Sequence, residues 1–83
     1  MAPLPRRIAA RPDPKDWADE ELLTFAEAAA LLWPHGPLTA STLRTAYRAG
    51  LLETVLLARK LMTCKRALRQ MAESARRPAR QRA

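Results

Sequence analysis

The chain of 83 residues carries 15 basic and eight acidic side chains, which gives a formal net charge of +7 and a sequence pI of about 11.1. This length allows one small domain with a thin stability margin. A single cysteine and a single histidine exclude an intramolecular disulfide and a zinc site built from Cys and His. The longest apolar run, 28–33, is too short to span a bilayer, and the prolines and arginines at the start interrupt the apolar region that a secretory signal needs.

Residues 1–21 are predicted to form a flexible N-terminal arm followed by an acidic lead-in. The first 14 residues are rich in proline and arginine and show no sustained periodicity, which is typical of a flexible segment. Carboxylates then surround Trp17, and this pattern predicts a turn of helix or a lead-in that packs the indole against the domain. The clustered carboxylates favour a solvated lead-in over acid/base catalysis. The arm has two interpretations: a tail without a role, or a segment that reaches DNA phosphates through Arg6, Arg7 and Arg11.

A domain is predicted over residues 22–75, and it begins with a capped helix. Thr24 and Glu27 have the T-x-x-E spacing of a capping box, in which each side chain bonds to the backbone of the other residue. The first helix of the domain is therefore predicted at about 25–33. The Pro-His-Gly-Pro segment that follows ends it, because proline removes a hydrogen-bond donor and glycine permits unusual dihedral angles.

The second helix, predicted at about 40–49, has two unlike faces. Thr39 is placed to cap its N-terminus, and Gly50 to end it. One face would meet a core through Leu43, Ala46 and Tyr47, which recur at helical spacing. The other face is polar and positive, and it is formed by Ser41, Arg44, Thr45 and Arg48. This second face suits either the major groove of DNA or a solvated helix surface.

A β-hairpin and a third helix complete the predicted domain. Residues 51–57 are aliphatic and β-branched, 58–60 form a short basic tip, and 61–62 resume an extended pattern. Thr63 is predicted to cap a helix at about 64–75, in which Cys64 lies on the apolar side as a small core residue. The basic segment 76–83 has no face for packing and is predicted to be a disordered tail.

The charge is divided sharply along the chain. Residues 1–38 contain four basic and six acidic side chains, a net charge of −2, whereas residues 39–83 contain eleven basic and two acidic ones, a net charge of +9. The positive region therefore begins at the second predicted helix. Such asymmetry favours a polyanionic partner, either nucleic acid or an anionic membrane surface.

The sequence resembles the excisionase-type winged helix-turn-helix, the compact form of the DNA-binding domain that is also found in MerR-type regulators. The resemblance rests on LLTFAEAAALL at 22–32 and STLRTAYRAGLL at 41–52, followed by a basic hairpin and a short capped helix. It covers about 22–71. It implies a mainly α fold with a small β-hairpin, built as a helix-turn-helix, a two-stranded wing and a C-terminal helix.

The resemblance also implies which residues would contact DNA. The second helix would enter the major groove, with an arginine making a bidentate contact to guanine, while the wing would approach the adjacent minor groove or its phosphates. The remaining cations would contact phosphates and add affinity with little sequence information. The implied groove residues are Ser41, Thr42, Arg44, Thr45 and Arg48, the wing residues are Arg59 and Lys60, and the phosphate contacts are Lys65, Arg66, Arg69, Arg76 and Arg77.

By this resemblance the chain would be an excisionase or recombination directionality factor, a non-catalytic protein of the bacterial cytoplasm and nucleoid that needs no cofactor. It would bind double-stranded DNA near a recombination attachment site and help a tyrosine-type integrase to favour excision. One small domain reads only a few base pairs, so copies would assemble side by side on DNA, and such contacts could extend into a filament.

Other functions compete with this interpretation. A small transcriptional regulator with the same fold would have the same DNA-binding residues. A basic RNA-binding or membrane-surface protein is a different class, but exposed aromatic side chains for base stacking are few and the amphipathic stripe of the last helix is short. An enzyme is the least favoured class, because the sequence contains no nucleophile–base pair, metal-ligand set or phosphate-binding loop.

Overall fold

The structure is a computed structural model that describes residues 4–75 of the chain. In this range it has four α-helices and a three-stranded antiparallel sheet, so the fold is mixed α/β. The elements, in chain order, are α1 (Arg6–Ala10), β1 (Leu23–Thr24), α2 (Phe25–Leu32), α3 (Ala40–Arg48), β2 (Val55–Leu57), β3 (Lys60–Thr63) and α4 (Lys65–Ala75), with a 3-10 turn at Pro14–Asp16. The predicted basic tail 76–83 lies outside the described residues.

The capping box predicted at the start of α2 is confirmed. The Thr24 hydroxyl accepts a hydrogen bond from the backbone N–H of Glu27 at 3.2 Å, and the Glu27 carboxylate accepts one from the backbone N–H of Thr24 at 2.9 Å. Two N–H groups that the helix itself leaves unpaired are satisfied in this way. This local bonding fixes where the helix begins, independently of the rest of the chain.

Both predicted ends of α3 are also confirmed. The Thr39 hydroxyl accepts from the backbone N–H of Thr42 at 3.3 Å. At the other end Gly50 has a φ of 78°, its N–H donates to the carbonyl of Tyr47, and the N–H of Leu51 donates to the carbonyl of Ala46. This pair of bonds is a Schellman motif, which requires a left-handed residue that glycine adopts at low cost.

The sheet has one strand more than the predicted hairpin. β3 pairs with β2 on one side and with β1 on the other, where Leu23 lies opposite Thr63. The prediction that Thr63 caps the last helix is wrong. Thr63 is the final residue of β3, and its hydroxyl donates to the backbone carbonyl of Glu53 at 3.0 Å. This bond holds β3 against the segment that leads into β2.

The buried core is centred on α2, which contributes more buried apolar side chains than any other described element. Its two buried alanines, Ala28 and Ala29, allow neighbouring elements to approach closely. Leu43 on α3 is fully buried, and Cys64 is a buried core residue as predicted. The full set of buried hydrophobic residues is Ile8, Trp17, Leu23, Phe25, Ala28, Ala29, Leu31, Leu43, Leu52, Cys64, Ala67 and Leu68.

The N-terminal segment differs from the predicted flexible arm, because it packs into the same core. Ile8 on α1 and Trp17 are each only 2% exposed. The Trp17 indole N–H donates to the carbonyl of Arg11 at 2.8 Å, and the Arg7 and Arg11 guanidinium groups lie 5.0 and 3.9 Å from the centre of a Trp17 ring. Burial of two large side chains and cation–π contacts offset the cost of ordering a proline-rich segment.

The two arginines also form ion pairs, so their guanidinium groups face the domain. Arg7 donates to the capping-box carboxylate of Glu27 at 2.9 Å, and Arg11 donates to both carboxylate oxygens of Glu21 at 2.9 and 2.8 Å. The hydrogen bonds from Arg11 are the main reason that the pKa of Glu21 lies at about 2, below its ordinary value of 4.5. A backbone N–H from Ala18 lowers it further.

This lowered pKa predicts a specific loss of stability in acid. A carboxyl whose pKa is lower in the folded state stabilises the fold above its unfolded pKa of 4.5, and the contribution disappears as the pH falls from 4.5 toward 2. We expect the melting temperature of the wild type to fall more steeply over this range than that of Glu21→Gln. Thermal melts followed by circular dichroism at several pH values would measure the difference, and parallel curves for the two chains would contradict it.

Candidate nucleic-acid interface

The predicted recognition face lies on the outer side of α3. The helix buries Leu43 on one side, and this orients the opposite side toward solvent. All five predicted groove residues are exposed: Ser41, Thr42, Arg44, Thr45 and Arg48. They therefore form one accessible face on a helix whose two ends are fixed by Thr39 and Gly50.

The threonine hydroxyls of this face also make contacts within α3 and with its N-cap residue. The Thr42 hydroxyl lies 3.1 Å from that of Thr39, and the Thr45 hydroxyl donates to the backbone carbonyl of Ser41 at 3.2 Å. A hydroxyl used in this way still offers lone pairs to an outside donor. By contrast, Arg44 and Arg48 are exposed and form no ion pair with any of residues 4–75.

The hairpin presents Arg59 and Lys60 at a tight two-residue turn. Leu57 pairs with Lys60 across the hairpin, and the two residues between them, Ala58 and Arg59, have φ angles of 51° and 69°. Positive φ at both central positions defines a type I′ turn, which Asn-Gly would normally occupy. Each L residue with a side chain in the left-handed region costs about 1–2 kcal/mol. The exposed tip therefore carries a basic residue at a position where glycine is more stable.

Arg59→Gly is expected to stabilise the fold. Glycine adopts the positive φ without steric cost, although its larger entropy in the unfolded chain offsets part of the gain. We expect a net gain of about 0.5–1 kcal/mol, or a rise in melting temperature of a few degrees for a domain of this size. Thermal or urea unfolding would measure it. Arg59→Lys is the matched control and should change little, and a melting temperature for Arg59→Gly at or below that of the control would contradict the prediction.

Lys65 on α4 is turned inward, although the family resemblance implies that it contacts phosphate. Its ammonium group donates to the backbone carbonyls of Pro14 at 2.8 Å and Trp17 at 2.7 Å, and it lies 3.8 Å from the carboxylate of Asp19. Its side chain is only 17% exposed. Lys65 therefore fastens the N-terminal segment to the beginning of α4.

Arg66 and Arg69 are also engaged by acidic side chains of the same chain. Arg66 donates to the carboxylates of Glu20 and Glu53, and Arg69 donates to that of Asp19 at 3.0 Å. These bonds raise the pKa of Arg66 and lower the pKa values of Asp19 and Glu53. Three of the predicted phosphate contacts are thus occupied by internal partners. The other two, Arg76 and Arg77, lie outside the described residues.

The cations of the described residues 4–75 therefore fall into two groups. Arg7 on α1, Arg11 in the loop that follows it and the three cations of α4 are paired with acidic side chains or backbone carbonyls. Those on α3 and at the tip of the hairpin form no ion pair within this part of the chain, and neither do Arg6 and Lys15 in the N-terminal segment. The paired group is Arg7, Arg11, Lys65, Arg66 and Arg69, and the unpaired cations of α3 and the hairpin are Arg44, Arg48, Arg59 and Lys60.

Sequence reasoning did not anticipate this division, because the pairs join residues far apart in the chain. Arg66 and Glu20 are separated by 46 positions, and Arg69 and Asp19 by 50. The one available signal was the acidic cluster at 19–21, set against a basic second half of the chain. Opposite charge in two segments of one small domain favours contact between them, but it does not identify the partners.

A metal site and a membrane span are two further possibilities for residues 4–75. This range contains no group of three or more His, Cys, Asp or Glu side chains placed to hold a metal ion. None of its helices has the length and apolar character needed to cross a membrane. Comparison of the chain with protein-family models, with curated protein sequences and with solved structures found no match.

Proposed function

We propose that the chain is a non-catalytic, DNA-binding architectural protein of the excisionase or recombination directionality factor kind. In this proposal the fold is a winged helix-turn-helix in which α2 and α3 form the helix-turn-helix and the β2–β3 hairpin is the wing. The outer face of α3 lies in the major groove, and Arg59 and Lys60 approach the adjacent minor groove or its phosphates. A tyrosine-type integrase is the partner that the sequence resemblance implies.

One observation carries the DNA-binding part of this proposal: the distribution of unpaired cations. Acidic side chains of this chain pair with many of its basic ones. The cations of α3 and the hairpin tip, however, have no internal partner among the described residues. A desolvated or paired cation gains little from an added phosphate, whereas a free one gains its full attraction to the polyanion and releases counterions. Four of the six unpaired cations of residues 4–75 lie on the two elements that a winged helix-turn-helix presents to DNA, and the other two, Arg6 and Lys15, lie in the N-terminal segment.

The order and bonding of the elements support the same assignment. Helix, turn and helix are followed by a hairpin, and both helices of the pair have side-chain caps at their beginnings. A small third strand, β1, joins the hairpin to the helix pair and holds the two parts together. The recognition helix is thereby fixed relative to the wing, as simultaneous contact with two grooves requires.

We further propose that copies bind side by side on DNA and touch through the hairpin. All three residues of β2 are exposed although they are apolar, and Leu56 is 67% exposed. β2 is also an edge strand of the sheet, so its outer backbone groups are open to a partner. A neighbouring copy would cover this apolar strand, and several adjacent copies would supply the specificity that one small domain lacks.

The experiment is a gel-shift titration of the full chain at several salt concentrations. Two duplexes are compared: the attachment region of the source element and a random sequence of equal length. We expect binding to both at low salt, a preference for the attachment region at higher salt, and a ladder of successive shifts on the longer site. Leu56→Ser should keep the first shift and weaken the later ones.

The outcomes separate the parts of the proposal. No DNA binding at low salt would overturn the DNA-binding function. Equal affinity for both duplexes at every salt concentration would overturn the sequence-specific, attachment-site role. A single shift on a site long enough for several copies would overturn side-by-side assembly. An excision assay with the integrase, with and without the chain, tests the recombination role directly.

A further inference from the structure

The acidic lead-in lies directly over the cationic outer face of α4. The Asp19 carboxylate accepts from Arg69 at 3.0 Å and lies 3.8 Å from the ammonium group of Lys65, while Glu20 accepts from Arg66. The backbone N–H of Arg66 also donates to the carbonyl of Asp19 at 3.1 Å, which fixes the lead-in at the beginning of the helix. The lead-in thus presents carboxylate oxygens to all three α4 cations, Lys65, Arg66 and Arg69.

We propose that Asp19 and Glu20 determine the DNA specificity of this protein by occupying the cations of α4. This inference rests on the proposed DNA-binding function and concerns its selectivity. Carboxylate and phosphate oxygens bind a guanidinium group through the same donors, so a guanidinium held by a carboxylate must break that bond before it contacts phosphate. The lead-in acts as an internal substitute for phosphate, and DNA binding is left to α3 and the hairpin.

The consequence concerns the balance between specific and non-specific binding. Phosphate contacts add affinity for every DNA sequence, and each one makes the logarithm of the binding constant fall more steeply with salt. A second cationic face on α4 would increase affinity for random DNA without adding base contacts. By neutralising that face, the lead-in raises the ratio of specific to non-specific affinity, which is the quantity that selects a site within a genome.

The geometry of the pairs makes them open to competition. Arg69 and Asp19 each have more than half of their side chains exposed, and the side chain of Glu20 is 67% exposed. Exposed pairs of this kind are individually weak. Removing the two carboxylates should therefore release Arg69 to DNA and leave Arg66 with Glu53 as its only carboxylate partner. The buried Trp17 and the Lys65 bonds to backbone carbonyls still hold the lead-in in place.

The test compares two variants of the full chain that carry the same charge change. Asp19→Asn with Glu20→Gln removes the two lead-in carboxylates that face α4 and leaves that of Glu53 in place. Asp13→Asn with Asp16→Asn removes two carboxylates of the same segment that form no ion pair with α4. Affinity for a random duplex is measured by fluorescence anisotropy at several salt concentrations, and circular dichroism melts check that both variants are folded.

We expect the first variant to bind random DNA about tenfold more tightly than the control at low salt, with a salt slope steeper by about one to two. Its preference for a specific site over random DNA should fall. Adding Arg66→Gln and Arg69→Gln to this variant should remove the added affinity for random DNA, because these two guanidinium groups are expected to supply it.

Equal affinity and equal salt slope for the two charge-matched variants would overturn the inference and leave the proposed function standing. A gain that persists after Arg66→Gln and Arg69→Gln would also overturn it, since the added affinity would then come from elsewhere. Absence of DNA binding by the wild type at low salt would overturn the proposed function and the inference with it.

Discussion

Replacing Trp17 with alanine is expected to cost about 3–5 kcal/mol of folding free energy, the range for removing a large buried aromatic side chain. Trp17 is 2% exposed, its indole N–H is bonded to the carbonyl of Arg11, and two guanidinium groups cover its rings. A domain of this size is stable by only several kcal/mol. Most of its stability, and at 37 °C a large part of the folded population, should therefore be lost.

Urea unfolding followed by circular dichroism would measure this loss. Leu4→Ala is the control, because Leu4 also lies in the N-terminal segment but is 55% exposed, and its replacement should change the free energy of unfolding by less than about 0.5 kcal/mol. A cost below about 1 kcal/mol for Trp17→Ala would mean that the segment packs weakly and that the domain begins near residue 22. A cost in the expected range makes residues 6–21 an integral part of the folded unit.

The burial of Trp17 agrees with one alternative predicted for the lead-in, in which its indole packs against the domain. The ends of α2 and α3 were predicted correctly because their signals are local: Thr24 and Glu27 are three residues apart, and Thr39 and Gly50 flank the helix that they bound. Bonds of this kind form within a few residues and depend little on the remainder of the chain. Their residue types therefore identify them directly.

The elements that were missed depend on distant partners. β1 is two residues long, which is too short for any alternation to appear, and it exists because β3 pairs with it. α1 is a single turn and a half whose one buried residue, Ile8, meets a core built by later elements. Short segments with one apolar anchor each cannot be distinguished from a flexible arm by periodicity, which needs several turns or strand residues to register.

The candidate interface also has one feature that the sequence predicts and one that it does not. Exposure of the outer face of α3 follows from the helical spacing of Leu43 against the polar residues, and this was predictable. The pairing of the α4 cations with carboxylates was not predictable, because composition counts Arg66 and Arg69 as positive charges whether or not a carboxylate faces them. Their carboxylate partners come from the lead-in and from the segment before β2. Net charge therefore overstated the surface available to a polyanion.

Arg44→Lys and Arg48→Lys are expected to separate sequence reading from charge. Lysine keeps the positive charge but loses the planar pair of donors that matches O6 and N7 of guanine. If one of the two arginines reads a base, its lysine variant should lose about 1–3 kcal/mol of discrimination at one base pair, a factor of roughly 5 to 150, while its affinity for random DNA stays within about twofold. The lysine variant of the other arginine should keep the discrimination of the wild type.

The measurement is selection from a pool of random duplexes, first with the wild type to define the preferred site and then with each variant. Arg69→Lys is the matched control, since Arg69 is an exposed arginine that is held by Asp19 and lies on α4. Its selected site should be identical to that of the wild type. If both α3 variants also select the wild-type site with unchanged discrimination, the recognition face is not formed by these two arginines. Preference would then have to come from the hydroxyls of Ser41, Thr42 and Thr45, or from the shape of the DNA at the hairpin.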